Sequence, residues 1–161
     1  MNIFVLDENI NKAAAYHCDK HVVKMCLEYA QLLSTTANGV LNDRVGYKTT
    51  HINHPCSVWV RQSAANTRWL AALLVALGRE YTARYGKVHK SVDIGINAAW
   101  HAVKRMPDVG LTPFAQAMPD EYKNKDAVVA YRNYYLGAKT GFATWKNGQP
   151  DWWKEKHDGA A

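Results

Sequence analysis

The sequence predicts a mostly α-helical protein, a single compact helical domain with a short extended N-terminal segment. Three observations carry that reading. Residues Lys12 to Thr36 contain no Gly and no Pro, and apolar residues cover most of the helix circumference, the pattern of a buried helix. A second long stretch opens on Pro55, which suits a first helical turn, and closes on Gly86, which suits a helix stop. Strand signals are weak outside Asn2 to Leu6.

The elements follow in order. Asn2 to Leu6 is extended, and Asp7 or Asn9 caps the first long helix, which runs to about Thr36 and stops at Asn38-Gly39. A polar loop from Asn42 to Thr50 leads to a second helix, unbroken from about Cys56 to Tyr85, with Trp59, Leu70, Leu73, Leu74 and Leu77 in the core. Val88 to Arg105 is a third helix with Ser91 as its N-cap. Pro107 to Pro119 holds three prolines and one Gly and is a loop, anchored by Leu111, Phe114 and Met118. Asp126 to Ala138 is a short amphipathic helix, followed by the aromatic residues Phe142, Trp145, Trp152 and Trp153. Residues 1–153 form the expected domain, and 154–161 a frayed tail.

At 161 residues the chain is long enough for a genuine core, and 48% hydrophobic with 21% charged residues marks it as globular. No apolar run is long enough to span a bilayer. The start MNIFVLDENINK lacks a basic n-region and a small-residue cleavage site, so the expected location is cytoplasmic. Cys18, Cys26 and Cys56 are odd in number and suggest no disulfide framework. A net charge of +6 favours polyanionic partners, DNA or a nucleotide.

Inside the first helix lies a polar stripe: His17, Lys20, His21, Lys24, Glu28 and Gln31, at steps of three and four. Either it lines a cleft, or it is a solvated face with an ion pair from Lys24 to Glu28. Lys20 and Lys24 suit phosphates as point charges. Asp19, His21 or Glu28 suits proton transfer. His17 and His21 are spaced to share a metal, with His51 or His54 as a third ligand. The remaining ligands lack a recognised spacing, so neither a metal nor another cofactor is expected.

Four further segments are candidates. Thr50 to Pro55, with His51, Asn53 and His54, opens a helix and either meets an anion or only caps and packs. Tyr85 to Ser91, with Lys87, His89 and Lys90, is either a phosphate-gripping turn or a solvated one. Thr112 to Tyr122 either presents Gln116 and Tyr122 to a base or is a packed connection. The tail interleaves Tyr131, Arg132, Tyr134, Tyr135, Lys139, Trp145, Lys146, Trp152 and Trp153, and its rings either touch ligand or pack back on the body.

A short extended start, a long helix with Asp19-Lys20-His21 and Lys24, Asn53-His54-Pro55 before Trp59, the basic run Arg79 to Lys90 and the Trp/Tyr/Lys tail occur in that order. The order resembles the pyrimidine-dimer DNA glycosylase superfamily, the endonuclease V-like small helical proteins of phages and bacteria. The resemblance implies a compact all-α fold that binds damaged duplex DNA and flips a base. It implies attack on the sugar C1′ by the N-terminal α-amine, help from a carboxylate on the first long helix, and β-elimination at the abasic site. Asp19 and Glu28 are both candidates for that carboxylate. Asn2 departs from the pattern, because a small second residue favours removal of Met1 and Asn does not. A protein that keeps the pocket and only binds a nucleotide or phosphorylated ligand is the alternative. A His-ligated metal hydrolase and a basic interaction protein without a pocket are further ones. The oligomeric state is open, and an exposed aromatic tail permits a dimer.

Overall fold

The computed structural model describes residues 1–158. Among them are seven α-helices, one 3-10 turn and no strand. The helices are α1 (Ile10–Tyr16), α2 (Asp19–Leu41), α3 (Pro55–Gln62), α4 (Ala64–Tyr85), α5 (Ser91–Val103), α6 (Ala127–Ala138) and α7 (Asp151–Asp158). Helix α2 is the centre, packed on α3, α4 and α5, while α1 lies against α4. Leu32, Leu33, Leu70, Leu73, Leu74 and Leu77 are buried between them. Gly95 lets α5 lie close on α2: a Cβ there would stand 2.9 Å from the Ala30 Cα.

The expected first helix is two helices. Asn9 caps α1 by accepting the Lys12 N–H, and the chain turns extended at His17 and Cys18 before α2 begins. No Gly or Pro makes this break; side chains from elsewhere stabilise it. A helix C-terminus leaves carbonyls without partners. Here His17 Nδ1 donates to Ala13 O, Arg84 Nη2 to Ala15 O, Trp145 Nε1 to Tyr16 O and Arg84 Nη1 to His17 O. Asp19 at the start of α2 accepts from Arg84, from Thr144 Oγ1 and from the Lys146 N–H.

Nor does α2 stop at Asn38-Gly39. It continues to Leu41 and ends at Asn42, which is left-handed at φ 51°. Asn38 instead ties down the following loop, donating to Tyr47 O and Thr49 Oγ1 and accepting the Val45 N–H.

The second long helix is also divided. Ser63 is extended (φ −156°) and caps α4 by accepting the Ala65 N–H. Carbonyls freed at the end of α3 are bonded by buried polar side chains, Trp59 O by Asn66 Nδ2 and Val60 O by Thr67 Oγ1. Gly86 ends α4 in the left-handed region, as expected.

Ser91 is the first residue of α5 and not its cap. Its N–H is taken by the His89 ring, and its hydroxyl bonds Tyr47 Oη. The Pro107–Pro119 loop is packed: Phe114 lies on Trp59 and Trp69, Trp59 Nε1 donates to Thr112 O, and Met118 is buried. Asp126 caps α6. The aromatic tail folds back, with Trp145 and Trp153 buried against each other. Helix α7 runs through Lys154 to Asp158, inside the segment expected to fray; 159–161 lie outside the described residues. No described helix is long and apolar enough to cross a membrane.

Candidate active site

The N-terminal segment is extended yet pairs with no strand, so its backbone groups need other partners. Side chains supply them. Ile3 N–H donates to Cys56 Sγ (3.4 Å), Phe4 N–H to Tyr29 Oη (3.0 Å), and Arg132 Nε donates to Leu6 O (2.8 Å) while its Nη2 pairs with Asp7. Ile3, Phe4, Val5 and Leu6 are all buried. A carbonyl oxygen only accepts, so His17 Nδ1 carries the proton in its bond to Ala13 O. Nε2 then accepts the Tyr29 hydroxyl proton. Tyr29 is thereby fixed between His17 and the Phe4 N–H.

This threading brings the start of the chain onto α2. The Met1 amine lies 3.9 Å from Glu28 Oε1. Together with Asn2, Phe4, His21, Lys24, Met25, Tyr134 and Lys139 they line a polar cavity of about 230 Å³. Glu28 forms its ion pair with the amine; among the described residues none joins it to Lys24. The Phe4 ring stacks on His21 at 4.4 Å, and Phe142 meets that imidazole edge-on. His21 Nδ1 is hydrogen-bonded to Tyr135 Oη. Burial, then the charges of His17, Lys139, Lys24 and Lys20, push the His21 pKa down to about 2. The imidazole is therefore neutral around pH 7 in a cavity ringed by cations.

Lys139 Nζ donates to Tyr134 Oη (3.4 Å) and lies over that ring, while Lys20 Nζ lies over Phe142. Two lysines from distant parts of the chain, Lys24 and Lys139, thus line the cavity with the amine, and Glu28 is the carboxylate among the lining residues. Such an arrangement holds an anion next to an amine and moves a proton at one carboxylate.

Of the polar stripe, His21, Lys24 and Glu28 share the cavity, and exposed Lys20 lies over Phe142, outside the lining. Gln31, one turn beyond Glu28, is half-buried and outside the lining. His17 lies before α2 and is fully buried, with both ring nitrogens bonded inside the core. It shares no helix face with His21. Among the described residues no group of three His, Cys, Asp or Glu is placed to hold a metal ion. Asp19 is committed to Arg84, Thr144 and Lys146 and does not line the cavity.

The remaining candidates occupy three other places. His54 caps α3 through Nδ1, and burial followed by the Met1 amine and His51 lowers its pKa. His51 and Asn53 are exposed on the same turn. Lys87 and Lys90 are exposed beyond α4, whereas His89 is bonded to Val23 O and to the Ser91 N–H. Gln116 bonds the Asn124 backbone with both ends of its amide, and the Tyr122 ring meets Tyr134 at 5.4 Å.

A family model described as pyrimidine dimer DNA glycosylase matches residues 1–93. The chain belongs to that family. No curated protein and no solved structure gives a significant match. The matched stretch contains the N-terminus, His21, Lys24, Glu28 and the turn at 51–54. Tyr134 and Lys139, brought to the same cavity by α6 and the residue after it, lie outside it. Phe4 did not stand out as a site residue in sequence, and Tyr134 and Lys139 stood there only within the tail whose rings either touch ligand or pack back on the body. Their signals were an apolar N-terminus and an aromatic–basic tail, both of which also describe core packing.

Proposed function

We propose that this protein is a DNA glycosylase with abasic-site lyase activity whose nucleophile is the amine at Met1. The observation that carries this reading is the Met1 amine 3.9 Å from Glu28 inside a cavity that also holds Lys24 and Lys139. Family membership supports DNA as the partner.

An ammonium must lose a proton before it attacks. Glu28 is close enough to receive it directly after a small closure, or through one water. The amine nitrogen then bonds to C1′ of the extruded nucleotide, and the base departs with the electrons of the glycosidic bond and takes up a proton. Opening of the sugar ring leaves an imine between C1′ and the amine. Loss of a C2′ proton then expels the 3′ phosphate with the electrons of the C3′–O bond, and water releases the sugar from the amine. Glu28 suits the proton steps. Lys24 and Lys139 suit the flanking phosphates as point charges. His21, neutral and fixed between Phe4 and Tyr135, offers a hydrogen bond without adding charge. The proposed place of action is the cytoplasm.

Incubation with an oligonucleotide holding one abasic site, with borohydride present, tests the reading. The expected result is a covalent adduct mapped by peptide mass to Met1. One observation favours a second reading: the Met1 side chain packs against the core beside the cavity, and Asn2 disfavours its removal. In that reading the cavity binds a nucleotide or other phosphorylated ligand without chemistry, and no adduct forms.

A further inference from the structure

Building on the glycosylase reading, we infer that Ile52 is a wedge that enters the base stack of duplex DNA beside the nucleotide presented to the Met1 amine. Ile52 is a large apolar side chain left 47% exposed, with exposed His51 and Asn53 on either side. Its turn is braced rather than loose. Thr35 Oγ1 bonds both the N–H and the carbonyl of Thr50, His54 N–H donates to His51 O, and Arg61 reaches the Ile52 carbonyl itself. His51 holds φ at 50°, a conformation uncommon for a residue with a side chain. A fixed backbone carrying a solvated isoleucine fits a role outside the core.

Position supplies the second part. The turn leads through His54 and Pro55 to Cys56, whose sulfur accepts the Ile3 N–H at 3.4 Å. The turn and the first residues of the chain are therefore bound to each other, and His54 senses the charge of the Met1 amine. Extruding a nucleotide leaves a gap in the stack, and apolar side chains inserted between base steps are a general way to fill one. The occupant is DNA rather than a second copy of the chain. Lys24 and Lys139 line the cavity that holds the Met1 amine, so a polyanion is attracted, whereas another +6 chain brings like charge.

The test compares wild type with I52A and I52F on one abasic site, in duplex and in single strand, with 2-aminopurine beside the site to report unstacking. Wild type should brighten the 2-aminopurine in duplex. I52A should lose that signal and slow borohydride trapping on duplex about tenfold, while trapping on single strand stays within about twofold. I52F should keep both, and all three proteins should melt alike because the side chain is exposed. Retention of the 2-aminopurine signal in I52A overturns the wedge, as does an equal loss on duplex and single strand. Absence of any wild-type adduct on either substrate overturns the glycosylase reading itself, and the wedge with it.

Discussion

Arg84 and Asp19 form an ion pair at 3.0 Å in which the arginine side chain is 1% exposed. Around that pair the end of α1, the start of α2 and residues 144–146 converge, with Glu80 as a second carboxylate on the guanidinium. The break that starts α2 at Asp19, and so sets which α2 residues face the cavity, depends on it. Replacing Arg84 by Ala strips Asp19 of its partner and frees the Ala15 and His17 carbonyls. Breaking a buried pair by removing one member costs about 3–5 kcal/mol. Chemical denaturation of R84A should show a loss of that size. R84K should recover only part of it, because an ammonium cannot reproduce the guanidinium fork.

Glu28 is tested separately from the fold. Its side chain is 18% exposed, and its ion pair is with the Met1 amine. E28Q keeps the shape and removes the proton acceptor. The expected outcome is a melting temperature close to wild type and a drop of about 10²–10⁴ in the single-turnover rate of adduct formation. An E28Q protein that traps abasic DNA at the wild-type rate would remove Glu28 from the mechanism.

Lys24 and Lys139 come from opposite ends of the chain yet line the same cavity. If both meet phosphates, K24A and K139A should each weaken binding to an abasic duplex. Each should also flatten the plot of log affinity against log salt by about 0.9. Titrations by fluorescence anisotropy at several salt concentrations read this directly. An unchanged slope in both would place the phosphates elsewhere.

The helical class was legible because periodicity is a local property. Lys12–Thr36 and Pro55–Tyr85 announce themselves by apolar spacing, and Gly86 and Asp126 act as their residue types suggest. The breaks were hidden because distant side chains stabilise them. Nothing in Ala13 to Asp19 interrupts a helix; Arg84 and Trp145, far along the chain, supply the hydrogen bonds that let it end. His17 joins the polar stripe only if the helix is unbroken. Beyond the break, the spacing of His21, Lys24 and Glu28 does bring them to one cavity. Asn38 looked like a stop signal because the type tolerates left-handed geometry, but its amide has better partners in the following loop. Phe4 was hidden for the same reason as Arg84, and for Tyr134 and Lys139 the sequence left ligand contact and packing both open, because their placement depends on tertiary contacts.

Tyr29 links the core to the amine. Its hydroxyl accepts the Phe4 N–H and donates to His17 Nε2. Y29F leaves both of those buried groups unpaired, at about 1–3 kcal/mol each. The variant should be less stable by urea denaturation and should also trap abasic DNA more slowly, because the extended segment that carries Met1 is no longer pinned. A second substitution, F4L, keeps the backbone bond but removes the ring stacked on His21. It should therefore affect trapping more than Y29F does, relative to its cost in stability.

Acid should unfold this protein through its two buried imidazoles. In the folded state burial, offset in part by the Ala13 hydrogen bond, lowers His17 from 6.5 to about 4, and burial with the neighbouring cations lowers His21 to about 2. The unfolded chain binds these protons near pH 6.5, so below that pH it holds more protons than the folded one. Stability is then fully present above about pH 6.5 and declines as the pH falls. For His17 the loss levels off below about pH 4, while for His21 it continues lower. At pH 4 each group contributes a loss of about 3 kcal/mol at 1.36 kcal/mol per unit. Urea midpoints measured from pH 8 to pH 4 should be flat at first and then fall steeply below pH 6.5. H21N removes one titrating group from the cavity, and its midpoints should fall less over the same range. A wild-type profile that stays level down to pH 4.5 would mean that these rings take up protons without unfolding the core.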